Sequence, residues 1–322
     1  MKIERPEFNL EVVKRFLHLP DARPNRVQVE ITNRCNLNCS MCPRDDYGLP
    51  EKDMPFSFFR EIMSRLEGVD LILPVGWGES FFHPEFDKIV DHLKERGHTV
   101  KVTTNGLLLK DKRLFETALK IDYLSFSLDE MGGSGKGHTN APVVESIRRL
   151  VDARNKRGLN RPFIALQPVL FKGNKDILDI IRLASELGAD RVNIVRPYTK
   201  FDKTLSPSWD ERVKVYEDAE VLGKRLGVRV DAFEYATFTG LKRFLWKHFK
   251  WIFRVNSWCP RLYDFAYVTL DGKVTPCCAL PRYVVGDLME QSLGEIWRGE
   301  KMNEFRKNHK VICAECEVLK VK

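Results

Sequence analysis

The chain has 322 residues, enough for one or two domains, and its 43% apolar and 30% charged residues are ordinary for a globular protein. The 53 basic residues exceed the 45 acidic ones in a mixed distribution, a net charge of +8, so nucleic-acid binding is not favoured. No run of about 18 apolar residues exists to span a membrane, and the first residues carry no apolar signal stretch. Eight cysteines without a signal peptide indicate reduced thiols or metal ligands, and therefore a cytoplasmic location.

The chain alternates between strand and helix patterns up to about residue 230. An amphipathic lead-in occupies residues 1–25. Strands are predicted at 27–32, 71–75, 100–103, 123–128, 163–170 and 192–195, and helices at 56–66, 86–96, 114–119, 143–156, 177–187 and 209–226. Such alternation predicts an α/β fold with a parallel sheet and helical crossovers. Six units are fewer than the eight of a full barrel, so a partial (β/α)6, TIM-like barrel or a doubly wound sheet is expected.

The alternation ends after about residue 230, which divides the chain into a core and a tail. The core covers residues 26–230, an aromatic and basic linker helix covers 231–256, and a small cysteine-rich unit covers 257–322. In either form of parallel sheet, the functional site lies at the carboxyl ends of the strands. The polar motifs of this chain follow its predicted strands, so we expect them to share one rim.

A loop of three cysteines, Cys35, Cys39 and Cys42, follows the first predicted strand. Three thiolates are too few for a closed tetrahedral zinc site, which needs four ligands. They suit an iron–sulfur cluster in which one iron has no cysteine ligand, because such clusters are normally held by four. The loop therefore predicts a cluster with an open coordination position.

The Cys-x3-Cys-x2-Cys loop resembles the signature of the radical S-adenosylmethionine (SAM) enzymes. The segment from Gly76 to Glu79 resembles that family's glycine-rich motif, the segment from Thr104 to Gly106 its third strand end, and the segment from Ser125 to Asp129 its fourth. The resemblance implies that the three cysteines hold a [4Fe–4S] cluster whose unique iron binds SAM. One electron then cleaves SAM to a 5′-deoxyadenosyl radical, which abstracts a substrate hydrogen atom.

The resemblance also suggests which residues contact SAM. Gly76 and Gly78 would allow close backbone approach to the ligand, and Glu79 would accept a hydrogen bond from its ammonium group. Asn105 and Ser127 would reach the ribose, and Lys136 would replace the arginine that relatives use for the carboxylate. Structural roles are open for each: a helix cap for Glu79, a turn for Asn105, a strand position for Ser127. The candidates for substrate contact are Asp129, Gln167 and Arg196.

Five further cysteines lie in the tail, at 259, 277, 278, 313 and 316. Their spacing resembles the twitch domain, a shortened SPASM domain that holds one auxiliary [4Fe–4S] cluster. The spacing assigns Cys259, Cys277, Cys313 and Cys316 as ligands. Cys278 is spare or replaces Cys277, because adjacent side chains on a strand point opposite ways. A structural zinc with four cysteines is the alternative.

The sequence thus predicts a radical SAM enzyme that oxidises its substrate, or modifies a peptide or natural product, with the help of an auxiliary cluster. The expected partners are a small-molecule or peptide substrate and an electron donor such as flavodoxin or ferredoxin. Residues 240–254 have the composition of an interfacial helix and allow contact with a membrane surface or an anionic substrate. The alternatives are an RNA- or lipid-modifying radical SAM enzyme and a non-catalytic iron–sulfur electron carrier.

Overall fold

The computed structural model describes residues 24–48, 51–66, 68–129, 140–174, 176–198, 203–232, 259, 261–314 and 316. Lys136 and the segment 240–254 lie outside these residues. The strands are Arg26–Val29 (β1), Leu71–Leu73 (β2), Thr99–Thr104 (β3), Tyr123–Phe126 (β4), Phe163–Leu166 (β5), Arg191–Ile194 (β6), Arg229–Ala232 (β7), Phe265–Val268 (β8), Lys273–Thr275 (β9) and Gly286–Asp287 (β10). The α-helices are Phe56–Ser64 (α1), Phe86–Glu95 (α2), Lys112–Ala118 (α3), Ala141–Lys156 (α4), Ile177–Leu187 (α5), Trp209–Leu226 (α6), Arg261–Asp264 (α7), Leu293–Arg298 (α8) and Glu300–Ile312 (α9).

The strands form one sheet in the order β10-β9-β8-β1-β2-β3-β4-β5-β6-β7. Every neighbouring pair from β8 through β1 to β7 is parallel. The β8–β9 and β9–β10 pairs are antiparallel. Helices connect successive strands from β2 to β7, which is the order expected of a barrel with strand–helix units. The predicted α/β fold is confirmed, and the carboxyl ends of β1 to β7 lie along one edge of the sheet.

The strand sequences explain which face of the sheet is apolar. In β1, Val27 and Val29 are fully buried, while Arg26 and Gln28 alternate with them and are partly exposed. The helices cover the apolar face with stripes at helical spacing, such as Ile89, Val90 and Leu93 of α2. The opposite face mixes polar side chains such as Gln28 with apolar ones such as Leu71 and Leu73 of β2.

The tail continues the core sheet. Strand β8 pairs in parallel with β1, with Val27 opposite Ala266, and turns into β9 through a hairpin in which Gly272 has φ +83°. Leu288 and Trp297 belong to the same apolar cluster as the strands of the core. The predicted boundaries near residues 230 and 257 stay predictions, but the tail shares both sheet and apolar cluster with the core.

Four strands of the sheet were not predicted: β7, β8, β9 and β10. Arg229–Ala232 and Phe265–Val268 are each four residues long and pair in parallel with β6 and β1, while β9 and β10 are shorter and pair antiparallel. Among the described residues, no helix is long and apolar enough to cross a bilayer.

Replacing a core residue of the central strands should cost substantial stability. Ile72 of β2 is fully buried between β1 and β3, so we expect Ile72→Ala to lower the free energy of unfolding by about 2–5 kcal/mol. Val221 is 60% exposed and serves as the control, with an expected change of Val221→Ala within about 0.5 kcal/mol. Urea unfolding followed by circular dichroism measures both, and equal midpoints for the two variants would contradict the described packing.

Candidate active site

The start of the cysteine loop is fixed by Asp53. The Thr32 hydroxyl donates to Asp53 Oδ1 at 2.6 Å, and Arg34 Nη1 donates to Asp53 Oδ2 at 2.8 Å. The backbone N–H of Lys52 donates to Asn33 Oδ1 at 2.8 Å. These bonds hold the chain immediately before Cys35 against the segment that precedes α1.

None of the three thiols of the loop, Cys35, Cys39 and Cys42, forms a disulfide within the described residues, and all three are partly buried. The backbone N–H of Leu37 donates to Cys35 Sγ at 3.4 Å, and that of Cys42 donates to the carbonyl of Cys39 at 3.0 Å, which curls the loop. Burial, with a smaller contribution from the nearby Glu79 charge, raises the pKa of Cys35 to about 11. Metal coordination would relieve this cost, because a coordinating thiol is deprotonated by the positive charge of the metal.

The glycines of the segment 76–79 pack against the cysteine loop itself. A Cβ atom added to Gly78 would lie 2.3 Å from the Arg34 carbonyl oxygen, and one added to Gly76 would lie 2.4 Å from Glu30 Cγ. The backbone N–H of Glu79 donates to the Arg34 carbonyl at 2.9 Å. The close backbone approach that the sequence predicts for these glycines is therefore made to the chain segment that leads into Cys35.

The Glu79 carboxylate joins the ends of β2 and β3. It is buried, with Oε1 accepting from the Thr104 hydroxyl at 2.8 Å and from the Phe81 N–H at 3.1 Å, and Oε2 accepting from the Asn105 N–H at 2.7 Å. The structural role that the sequence left open for Glu79, a cap of the next helix, is thus present. The role toward SAM stays a prediction.

Asn105 connects β3 to the cysteine loop. Its Nδ2 donates to Asn36 Oδ1 at 2.8 Å, and its Oδ1 accepts from the Leu107 N–H at 3.0 Å, as in an Asx turn. Asn36 is the residue after Cys35, so the side chain of Asn105 sets the position of the loop. Both the turn role and a bond to the cysteine loop are therefore described for Asn105, while ribose contact stays a prediction.

The remaining predicted contacts lie along the next strand ends. The Ser127 N–H donates to the Thr104 carbonyl at 2.8 Å, and Asp129 is buried with Oδ1 accepting from the Val169 N–H at 2.8 Å. Gln167 and Arg196, at the ends of β5 and β6, are partly exposed. The bond from Val169 gives Asp129 a structural role, and substrate contact stays a prediction for all three candidates.

An aromatic cluster of Tyr47, Trp77 and Tyr198 joins the loop to the tail. The ring centroid of Tyr47 lies 5.0 Å from that of Trp77 and 6.1 Å from that of Tyr198. The two tyrosine hydroxyls are 2.5 Å apart and lie 2.9 Å and 3.1 Å from the Ala279 carbonyl oxygen. Since Ala279 follows Cys278, this cluster connects the two cysteine-containing regions directly.

The tail cysteines share one neighbourhood. Burial first, and then the charges of Cys316, Cys259 and Cys277, raise the pKa of Cys313 to about 12. Burial and the charge of Cys277 raise the pKa of Cys259 to about 12 as well. Burial and mutual repulsion disfavour the thiolate forms of these cysteines, and the positive charge of bound iron would offset this cost, as in an iron–sulfur site. Within the described residues no three His, Cys, Asp or Glu side chains converge on a single metal ion, and the ligand assignment stays a prediction.

Cys277 and Cys278 have a cationic neighbour that the sequence analysis missed. Arg261 Nη1 donates to Cys277 Sγ at 3.3 Å and to Cys278 Sγ at 3.4 Å. The bond with the Cys278 thiol, with help from Arg261, lowers the pKa of Cys277. The only signal for Arg261 was its position two residues after Cys259.

The aromatic cluster and a buried acid were also missed. Trp77 stands inside the segment from Gly76 to Glu79, and Tyr198 lies two residues after Arg196, but nothing in the sequence marks Tyr47. Glu30 is buried and accepts from the Trp77 N–H at 3.3 Å, and burial raises its pKa. The Trp77 indole N–H is buried without a hydrogen-bond partner among the described residues, which leaves a donor available at this rim.

Two family models match the chain. The Radical SAM superfamily model matches residues 29–184, and the SPASM model, described as an iron–sulfur cluster-binding domain, matches residues 259–317. The first match covers the cysteine loop and the strand ends around it, and the second covers all five tail cysteines. The second match decides for iron–sulfur rather than zinc in the tail.

Individual relatives match over most of the chain. A tungsten-containing aldehyde ferredoxin oxidoreductase cofactor-modifying protein of Pyrococcus furiosus is 29% identical, covering 86% of this chain and 82% of the relative. An AdoMet-dependent heme synthase of Methanosarcina barkeri is 26% identical, covering 92% and 90%. The crystal structure of Streptococcus suis SuiB bound to precursor peptide SuiA has the same fold, with a TM-score of 0.70, 15% identity, and coverage of 97% and 74%.

Removing the Asn105 side chain should loosen the cysteine loop. Asn105→Ala deletes the bonds to Asn36 and Leu107 and leaves partly buried partners unsatisfied, so we expect a loss of about 1–3 kcal/mol in the free energy of unfolding of the apoprotein. Asn36→Ala removes only the first bond and should cost less. Urea unfolding compares the two variants, and a larger effect at Asn36 would contradict the described connection.

The tyrosine pair should make stability fall at alkaline pH. Burial raises the pKa of Tyr198 to about 12, so between about pH 10 and pH 12 the unfolded chain loses this proton while the folded chain keeps it. The contribution is fully present below about pH 10 and is lost as the pH rises toward 12. Tyr198→Phe should flatten this decline in urea unfolding midpoints, and an unchanged slope would contradict burial of this hydroxyl.

Proposed function

Because the chain belongs to the radical SAM superfamily and carries an iron–sulfur SPASM domain, we propose that it modifies a small organic molecule by hydrogen-atom abstraction. Its cofactors are SAM and a [4Fe–4S] cluster, together with auxiliary iron–sulfur in the tail. The bound SAM supplies the radical that removes the hydrogen atom. The protein holds the reacting groups in position and excludes water.

One observation carries this proposal: the cysteine loop is tied to the ends of two further parallel strands. Gly78 packs against Arg34 at the loop entrance, Glu79 bonds to the end of β3, and Asn105 of that strand bonds to Asn36 inside the loop. In a parallel barrel these ends form the catalytic rim. Cys35, Cys39 and Cys42 would hold the cluster there.

The proposed SAM contacts follow from this arrangement. The Glu79 carboxylate is held by three hydrogen bonds, so its oxygens have fixed positions from which to accept from an ammonium group. Gly76, Gly78, Asn105 and Ser127 line the same rim, and Lys136 is proposed for the carboxylate of SAM. Asp129, Gln167 and Arg196, at the ends of the later strands, are proposed to face the substrate.

In the tail, we propose one auxiliary [4Fe–4S] cluster held by Cys259, Cys277, Cys313 and Cys316. The hydrogen bonds of Tyr47 and Tyr198 to the carbonyl of Ala279, which follows Cys278, support a position of this cluster near the rim of the core. A fully ligated cluster there is suited to receive an electron from the substrate radical. This supports an oxidation, such as a dehydrogenation, as the reaction.

The relatives favour a cofactor-like small molecule as substrate. The two relatives matched over more than four fifths of both chains are named for modifying a cofactor and for making heme. A peptide is the second candidate, since SuiB, solved with its precursor peptide, shares the fold over 97% of this chain. As a radical SAM enzyme the protein needs an electron donor, for which we propose flavodoxin or ferredoxin in the cytoplasm. A membrane or anionic contact through residues 240–254 stays a prediction.

Cleavage of SAM tests the proposal. Reconstituted, reduced protein mixed with SAM under anaerobic conditions should form 5′-deoxyadenosine, detected by chromatography and mass spectrometry. Cys39→Ala should abolish the product, because it removes a ligand of the SAM-binding cluster. Cys313→Ala is the matched control, since it removes a thiol from the other site and should still allow SAM cleavage. A wild-type protein with full iron content that forms no 5′-deoxyadenosine would overturn the proposal.

The substrate class can be tested with the same readout. We expect the small-molecule fraction of an anaerobic cell extract to raise 5′-deoxyadenosine formation above the level without substrate. The peptide fraction of the same extract is the comparison. Stimulation by the peptide fraction alone would reject the small-molecule proposal in favour of a peptide substrate.

A further inference from the structure

Arg261 places a positive charge against the sulfur atoms of the proposed auxiliary site. Nη1 of this side chain lies 3.3 Å from Cys277 Sγ and 3.4 Å from Cys278 Sγ. The backbone N–H of the same residue bonds to the Cys259 thiol. One residue therefore donates hydrogen bonds to three of the five tail cysteines.

Two contacts hold the guanidinium in this position, one through the backbone and one with a neighbouring aromatic ring. Arg261 begins helix α7, whose start is fixed by the bond from the Leu262 N–H to the Cys259 carbonyl at 3.2 Å. The guanidinium itself stacks over the ring of Phe265, with its central carbon 5.1 Å from the ring centroid. An arginine cannot lose its charge in a protein, so this positive charge is permanent.

A permanent charge beside a cluster acts on its reduction potential. Net charge, hydrogen bonds to the sulfurs and solvent exposure set that potential, and adding an electron makes the cluster more negative. A neighbouring cation stabilises the reduced form more than the oxidised form. The contact involves both Cys277 and Cys278, so the effect is the same whichever of them is the ligand.

We propose that Arg261 is a positioning residue that raises the reduction potential of the auxiliary cluster and so makes it the electron acceptor of the reaction. This inference rests on the ligand set proposed above. In an alcohol oxidation, hydrogen-atom abstraction from the C–H bond leaves a carbon radical. Loss of one electron and of the hydroxyl proton would convert the C–O single bond of that radical into a C=O double bond, with water taking the proton and the auxiliary cluster able to accept the electron. An external carrier such as flavodoxin or ferredoxin would then take up that electron.

The test is a redox titration of the reconstituted full-length protein, monitored by electron paramagnetic resonance. The Cys39→Ala background removes the SAM-binding cluster and isolates the auxiliary signal. In that background Arg261→Gln, which keeps a donor but removes the charge, should shift the midpoint potential by at least about 59 mV to more negative values. That shift corresponds to a tenfold change in the equilibrium constant for one electron.

Two variants separate charge from structure. Arg261→Lys retains the positive charge and should shift the potential less than Arg261→Gln. Arg298→Gln removes one charge from an exposed position in the same domain and should leave the potential unchanged. Equal shifts for the Lys and Gln variants would show that charge is not the cause and would overturn the inference.

The remaining outcomes are also decisive. Arg261→Gln protein with full iron content and a wild-type potential would overturn the inference while leaving the proposed function intact. Loss of the auxiliary cluster in both Arg261 variants, with unchanged circular dichroism, would show a role in assembly and would also overturn it. A second cluster that persists in Cys313→Ala would instead reject the ligand set, and absence of 5′-deoxyadenosine from the wild type would reject the proposed function.

Discussion

The buried carboxylate of Glu79 is the interaction on which the rim of the site depends. It accepts hydrogen bonds from the Thr104 hydroxyl and the Asn105 N–H of the neighbouring strand end, and from the Phe81 N–H after its own strand. A buried charge of this kind is tolerated only when its oxygens are satisfied. Those bonds therefore fix two strand ends relative to each other, and Asn105 extends the connection to the cysteine loop through Asn36.

The same rim is connected to the tail through aromatic side chains. Tyr47 follows the cysteine loop, Trp77 stands between the two packed glycines, and Tyr198 follows β6. The hydroxyls of Tyr47 and Tyr198 contact the Ala279 carbonyl, which joins the segment after the cysteine loop to one about 230 residues away in the sequence. Together with the pairing of β8 to β1, this contact explains why the tail and the core share one apolar cluster.

The two cysteine sites differ in their surroundings, and the difference matches the roles proposed for them. Near the first site, burial raises the pKa of Cys35, the Glu79 charge adds to this shift and the Arg44 charge opposes it. Near the second site, the Arg261 guanidinium bonds to two sulfurs. A positive neighbour favours a cluster that accepts an electron. An electron entering at the first site would thus find a more favourable position at the second.

The sequence by itself determined the parallel α/β fold, the three-cysteine loop and the auxiliary cysteines. These features follow from the local periodicity of apolar residues and from the local spacing of cysteines. Only the tertiary structure decided which groups meet. The short strands β7 and β8 exist through their pairing partners, and the glycines of the segment 76–79 turn out to pack on Arg34 and Glu30. The Tyr47–Tyr198 pair and the contact of Arg261 with Cys277 and Cys278 join residues that are distant in sequence. No local pattern encodes such contacts, since they depend on how strands from opposite ends of the chain are brought into one sheet.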